Sequence, residues 1–143
     1  MSLAPWLIWA LLSAVFAALT AIFAKVGLQD IDSDLATLIR VLIISMILGL
    51  LVCFSGKWVN PLSLSVKTLG FLTLSAFATG ASWICYFRAL QTGQAFQVAP
   101  VDKLSVVLVA VFAFIFLSER PELHEWIGIC LITLGVIVLT LPF

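Results

Sequence analysis

Two adjacent charged residues, Asp102 and Lys103, lie inside a long apolar stretch, two residues after Pro100. Near the centre of a lone membrane helix, each charge would cost roughly 2.5–3.5 kcal/mol. Pro100 removes one helical hydrogen bond and frees the carbonyl group near Phe96. Because neighbouring helical residues point about 100° apart, we expect the two charges to have separate partners. A charged pair beside a loosened turn favours contact with a polar substrate or a proton.

Three more basic residues, Lys25, Arg40 and Arg88, are predicted to approach the same side of the membrane as Asp102 and Lys103. The functional interpretation is a polar cavity for a polar or anionic solute, in which these groups bind the substrate or a coupling ion. The alternative is that the basic side chains only reach toward the membrane surface, with one structural Asp102–arginine pair. Further candidates for the cavity wall are Trp83, Tyr86 and Gln97.

The elements that must position these residues are apolar stretches. Hydrophobic residues make up 64% of the 143-residue chain and charged residues 10%, whereas a soluble domain is about half apolar and a quarter charged. A helix needs roughly 20 residues to cross a bilayer, where only internal hydrogen bonds satisfy the backbone. The sequence predicts an all-α membrane protein of five transmembrane helices, forming a single domain over residues 1–143. The predicted spans are 6–28, 35–54, 68–90, 94–117 and 126–143.

Composition and motifs argue against several other classes. The formal net charge is zero, which gives no support to nucleic-acid binding. Cys53, Cys85 and Cys130 lie in separate apolar stretches and are interpreted as buried small hydrophobes, and His124 lies in a polar loop. No metal site or cofactor is expected. A phosphate-binding loop and a Ser–His–Asp set are missing from the sequence, so we do not expect an enzyme.

The distribution of basic residues bears on orientation. Five spans put the two termini on opposite sides of the membrane. Lys57, Lys67 and Arg120 fall on the amino-terminal side, against three or four basic residues on the other. Because an excess of Lys and Arg normally fixes orientation, this balance favours insertion both ways and pairing of two opposite copies. The alternative is a single orientation set by a partner or by weaker signals.

Several short segments carry a resemblance to a known family. They are FAKVGL at 23–28, Arg40, YFRALQ at 86–91, LSV at 104–106, LSER at 117–120 and the glycine-bounded 128–135. With these segments in this order, the sequence resembles the EamA family of the drug/metabolite transporter superfamily, in its single-repeat form. The resemblance covers essentially the whole chain.

The resemblance implies a five-helix repeat. Most members of the family carry two inverted repeats around a central cavity, so a single repeat implies an antiparallel homodimer. The related small multidrug resistance proteins couple protons through an acidic residue in span one. This chain has no such residue, which leaves Asp102 as the only acid well inside a span.

Two functions follow as hypotheses. The first is a secondary transporter of a small polar metabolite or drug in a bacterial inner membrane, which alternately opens a cavity lined by spans one to four and uses protons or another coupling ion. The second is a non-transporting membrane subunit that regulates or assembles with a larger partner. A passive channel is a third possibility.

Overall fold

The computed structural model describes residues 5–140, apart from the side chain of Leu62. Over this range the chain is all-α, and five of its apolar helical stretches are long enough to cross a membrane, as predicted. The last three residues of the predicted fifth span, 141–143, lie outside the described part. The helices are α1 Pro5–Gly27, α2 Ser33–Phe54, α3 Val66–Thr92, α4 Ala95–Asp102, α5 Ser105–Phe112 and α6 Leu123–Thr140, with a 3₁₀ turn at Pro61–Ser63 and a π-helical turn at Ala113–Leu117.

Polar capping residues set where three of the helices begin. The Asp32 carboxylate accepts hydrogen bonds from the backbone N–H groups of Asp34 at 2.9 Å and Leu35 at 3.2 Å. An aspartate at this position is a typical cap at the start of a helix. Helices α3 and α6 begin two or three residues earlier than the apolar pattern predicted. There Ser65 Oγ accepts from Thr68 N–H at 3.1 Å, and the Glu125 carboxylate accepts from Glu122 N–H at 2.7 Å.

The described residues form two compact units that meet in sequence between Thr92 and Gly93. In the first unit, α3 packs against both α1 and α2. Its buried side chains gather at the end where α1 and α3 stop and α2 starts. They are Ala21, Ala24, Leu28, Ser33, Thr37, Phe87 and Leu90. The interpretation of residues 1–143 as a single domain stays a prediction.

In the second unit, α6 packs against α4 and α5, and Ala113 and Val136 are buried. The fourth predicted span is one continuous apolar stretch, Ala95–Leu117, but its helix is interrupted at Lys103 and Leu104. The N–H groups of Lys103 and Leu104 donate to carbonyls three residues back, each at 3.0 Å, instead of four.

Pro100 lies three residues before this interruption. It lies inside α4 and has no N–H to donate, and its ring crowds the carbonyl four residues earlier. The turn after it follows the 3₁₀ pattern, in which the Pro100 carbonyl accepts from the N–H of Lys103. The backbone is therefore irregular next to the two charged residues of this span.

The cysteine interpretation needs correction. Cys53, Cys85 and Cys130 are exposed on the surface of the described chain, although the sequence analysis interpreted them as buried. The reason is the solvent: hydrocarbon is as apolar as a protein interior, so a membrane helix has no need to turn a small apolar side chain inward.

Candidate functional site

A cavity of about 440 Å³ lies within the first unit. This volume falls in the range of small-molecule sites, roughly 300–1,000 Å³. All of its lining residues come from α1, from the loop after α1, from α2 and from α3, and most are apolar. They are Thr20, Phe23, Ala24, Gly27, Leu28, Ile31, Ala36, Ile39, Arg40 and Phe87.

Arg40 is the one charged residue in this lining. It sits in the second turn of α2, and its guanidinium carbon lies 4.1 Å from the centroid of the Phe87 ring. The ring thus covers one face of the cation, an electrostatically favourable arrangement. Within residues 5–140, the buried Nη1 of Arg40 has no hydrogen-bond partner. The arginine therefore has donor capacity that the protein leaves unused.

Lys25, another predicted site residue, joins two helices by hydrogen bonds. Its ammonium group donates to the backbone carbonyl of Leu90 at 2.7 Å and approaches that of Gln91 at 3.5 Å. The last carbonyls of a helix lack partners within the helix and carry partial negative charge. Lys25 near the end of α1 therefore ties α1 to the last turns of α3.

Arg88 holds Asp34 through two parallel hydrogen bonds. Its Nε lies 2.9 Å from Asp34 Oδ1, and Nη2 lies 2.5 Å from Oδ2. Both side chains are about half exposed, at 62% and 48%. Beside this pair, Gln91 donates from its amide to the carbonyl of Ile31 at 3.0 Å. Arg88 is thus part of a clasp between the start of α2 and the end of α3.

The sequence analysis did not identify Asp34 as the partner of Arg88. A usable signal was present, because antiparallel α2 and α3 bring the start of one and the end of the other to the same side. An acid at one of these ends and an arginine at the other are natural partners. Phe87 was also missed as a contact of Arg40. Its pairing depends on the rotation of both helices, which the sequence does not give.

Asp102 and Lys103 are paired with each other, with Lys103 Nζ 3.2 Å from Asp102 Oδ2. The expectation of separate partners is therefore wrong. That expectation assumed a regular helix, but Lys103 lies in the turn that interrupts it. From this turn its long side chain folds back toward the preceding carboxylate. Pro100, the predicted helix-breaking residue, lies two positions before this pair.

The remaining predicted site residues are Tyr86, Trp83 and Gln97, which carry no charge. Tyr86 is half-buried, and its ring forms a T-shaped pair with the Phe87 ring, with centroids 5.4 Å apart. Trp83 is half-buried one turn earlier in α3, and Gln97 is exposed on α4. The first unit thus brings together Lys25, Arg40, Tyr86 and Arg88. Their convergence with the predicted residues of the second unit, Gln97, Asp102 and Lys103, stays a prediction.

A bundle of apolar helices with charged groups held between them defines a multi-pass membrane protein. The model of the EamA-like transporter family matches residues 4–141. The chain belongs to this family of membrane transporters, which confirms the resemblance.

Three relatives illustrate the range of similarity. A Sinorhizobium protein described as an "uncharacterized transporter in cobO 3'region" is 52% identical over 134 residues, covering 94% of this chain and 95% of its own. An uncharacterized protein of Methanocaldococcus jannaschii is 30% identical, covering 94% and 96%. A probable 4-amino-4-deoxy-L-arabinose-phosphoundecaprenol flippase subunit of Pectobacterium atrosepticum is 32% identical over 72 residues, 48% of this chain and 61% of its own. No solved structure matches the chain.

Proposed function

We propose that this protein is a secondary transporter that moves a small polar metabolite or drug across a bacterial inner membrane. It acts as an antiparallel homodimer by alternating access, with protons or another ion as a coupling partner. The observation that carries the proposal is the interrupted fourth span, where an ion pair lies beside broken helical geometry. Transporters commonly build midplane binding sites from such discontinuous helices.

The ion pair has the properties that coupling requires. Asp102 ends an eight-residue helix, which places it about 12 Å along the span. While Lys103 neutralises it, the pair costs less in an apolar span than two separate charges would. A proton on the carboxylate, or a solute that binds either member, removes this mutual attraction. The tightened turn beside the pair gives the backbone a place to respond.

The homodimer rests on the repeat count and the charge balance. The chain has five spans and so resembles one half of a ten-helix inverted-repeat transporter, in which two opposite repeats form the transport path. A second copy inserted in the opposite sense would supply the other half. Nearly equal numbers of basic residues on the two sides would permit both insertions.

Counterflow tests transport directly. A thermal-shift screen of the detergent-solubilised protein against a metabolite collection would select solutes. Proteoliposomes would then be loaded with an unlabelled solute and given a trace of the labelled form outside. A carrier gives a transient, saturable accumulation of label, whereas a channel gives only equilibration. Absence of accumulation for every stabilising solute would contradict the proposal.

Cysteine labelling tests the opposite orientations. In a background with the three natural cysteines replaced by serine, Asn60→Cys and Asp30→Cys would report on loops at opposite ends of the spans. Intact cells would be treated with a membrane-impermeant thiol reagent. Dual insertion predicts partial labelling at both positions, with completion after permeabilisation. Full labelling at one position and none at the other would rule out the antiparallel arrangement.

The second candidate is a non-transporting subunit of a larger complex. It is favoured by the names of relatives such as the Pectobacterium protein, which is described as a flippase subunit. Stoichiometric co-purification with a larger membrane protein, together with no counterflow by the isolated chain, would support this alternative. Counterflow by the purified chain alone would exclude it.

A further inference from the structure

We propose that the cavity of the first unit binds an amphipathic organic monoanion, one anionic group on an apolar body, with Arg40 as the residue that holds the anion. The inference rests on the proposed function only in that it treats this ligand as the transported solute. Binding itself does not depend on transport.

The first step is the difference among the three basic residues of this unit. Lys25 bonds to carbonyls at the end of α3, and Arg88 donates to the Asp34 carboxylate through Nε and Nη2. Arg40 has the Phe87 ring against its guanidinium face, but its Nη1 is buried without a hydrogen-bond partner in the described chain. A buried charged donor left unpaired is costly. Arg40 also lines the cavity, so a ligand anion there would pair with its charge.

The second step is the charge of the cavity. None of its ten lining residues is acidic, so the Arg40 charge is not neutralised by the wall of the cavity. A single carboxylate or a similar group matches the planar fork of a guanidinium through two hydrogen bonds. A cation would be repelled, and a second negative charge on the ligand would enter the cavity with no partner.

The third step is the apolar remainder of the wall. Phe23, Leu28, Ile31 and Ile39 line the cavity, and among its ten lining residues only Thr20 has a hydroxyl group. A sugar or another polyol would leave its hydroxyl groups without partners there, which is a strong basis for rejection. A hydrocarbon or aromatic body would instead bury its surface against these side chains.

The geometry of Arg40 is held in place before any ligand arrives. Phe87 is buried and covers one face of the guanidinium, and the Tyr86 ring packs against Phe87 in a T-shaped pair. The Lys25–Leu90 and Asp34–Arg88 contacts tie together the three helices that surround the cavity. These supporting contacts reduce the ordering of side chains that ligand binding would otherwise require.

The first test compares ligands on the unaltered, full-length protein in a neutral detergent. Isothermal titration calorimetry would measure binding of 3-phenylpropionate, its uncharged amide 3-phenylpropionamide, and acetate, which keeps the charge but lacks the apolar body. We expect saturable binding of 3-phenylpropionate, at least tenfold tighter than that of either comparison compound. Equal binding of acid and amide, or no binding of the acid, would overturn the inference.

The second test uses variants. Arg40→Gln should weaken 3-phenylpropionate binding at least tenfold, and Arg40→Lys severalfold, because lysine keeps the charge but loses the planar fork. Arg120→Gln, at an exposed arginine in the loop before α6, is the matched control and should bind as the original does. Undiminished binding by a folded Arg40→Gln protein would contradict the assignment. If that variant fails to fold, Arg40→Lys and the ligand comparison still decide.

A third measurement distinguishes a soluble anion from an anionic lipid as the ligand. This is needed because both carry an anionic group on an apolar body. Binding of 3-phenylpropionate would be compared in nanodiscs of phosphatidylcholine and of phosphatidylglycerol. Equal affinity identifies a soluble anion as the ligand, whereas at least tenfold weaker binding in phosphatidylglycerol identifies a lipid competitor at the same site. Failed counterflow with intact binding would count against transport alone. Counterflow of some other solute without binding of the acid would count against this inference alone.

Discussion

The first unit, α1 to α3, and the second unit, α4 to α6, hold their charged groups in different ways. In the first unit the contacts of its basic residues join different helices, as between Lys25 and Leu90 or between Asp34 and Arg88. In the second unit the Asp102–Lys103 pair joins neighbours in sequence, at a point where the helix is interrupted. A contact between helices fixes a packing arrangement, whereas a contact between neighbours survives rearrangement of the helices.

This difference suggests that the two units have different roles in binding and transport. The clasped helices of the first unit suit a preformed binding cavity. The interrupted span of the second unit suits a segment that bends while keeping its charges paired. Substitutions in the second unit should then act mainly on transport, and substitutions in the first unit mainly on stability or affinity.

The largest effect is expected from Asp102→Asn. It removes the carboxylate, leaves Lys103 without its partner, and should abolish counterflow in proteoliposomes while leaving the yield of dimer unchanged. Glu119→Gln, which changes an exposed acid at the end of the same span, is the control and should transport normally. Unchanged transport by Asp102→Asn would show that the carboxylate has no part in coupling.

Pro100→Ala should separate stability from transport. Alanine restores the missing N–H and removes the ring, and an interior proline costs roughly 3 kcal/mol relative to alanine. We expect the free energy of unfolding to rise by up to about that amount, measured by denaturation in detergent. Transport should fall severalfold because the turn is stiffer. Full transport by the alanine variant would mean that the interruption is not needed.

Lys25→Met should act on stability within the first unit. It deletes the hydrogen bond to the Leu90 carbonyl, and a hydrogen bond that involves a charged group is worth roughly 1.5–3 kcal/mol. The free energy of unfolding in detergent should fall by about this amount. Lys67→Met, at an exposed lysine near the start of α3, should leave it unchanged. Equal stability of the two variants would show that the hydrogen bond from Lys25 to Leu90 does not stabilise the first unit.

The smallest effect is expected at Asp34 and Arg88, since their half-exposed pair is screened by water and salt. Asp34→Asn and Arg88→Gln should each lower stability slightly. The exchange Asp34→Arg with Arg88→Asp should recover part of the loss at low ionic strength. A double-mutant cycle in detergent, repeated in high salt, measures the coupling. A coupling that does not weaken in salt would contradict this account of an exposed pair.

The helices and the membrane class could be predicted because apolar length alone specifies them, as in the continuous stretch Ala95–Leu117. Helix starts were displaced where a polar cap such as Ser65 or Glu125 lay outside the apolar pattern. The Asp102–Lys103 pair was mispredicted because regular helical geometry was assumed next to Pro100. The Arg40–Phe87 contact needs the rotation of two helices about their axes, and a single sequence does not contain that information.

The fourth span ends at Ser118, whose φ of 57° lies in the left-handed region. Side chains with a β-carbon resist this conformation by roughly 1–2 kcal/mol, whereas glycine adopts it freely. Saturation mutagenesis at this one position, scored by surface or membrane abundance, should therefore enrich glycine and asparagine and deplete valine and isoleucine. Ser118 thus offers a way to raise the stability of the protein through the backbone alone, without changing a charged side chain.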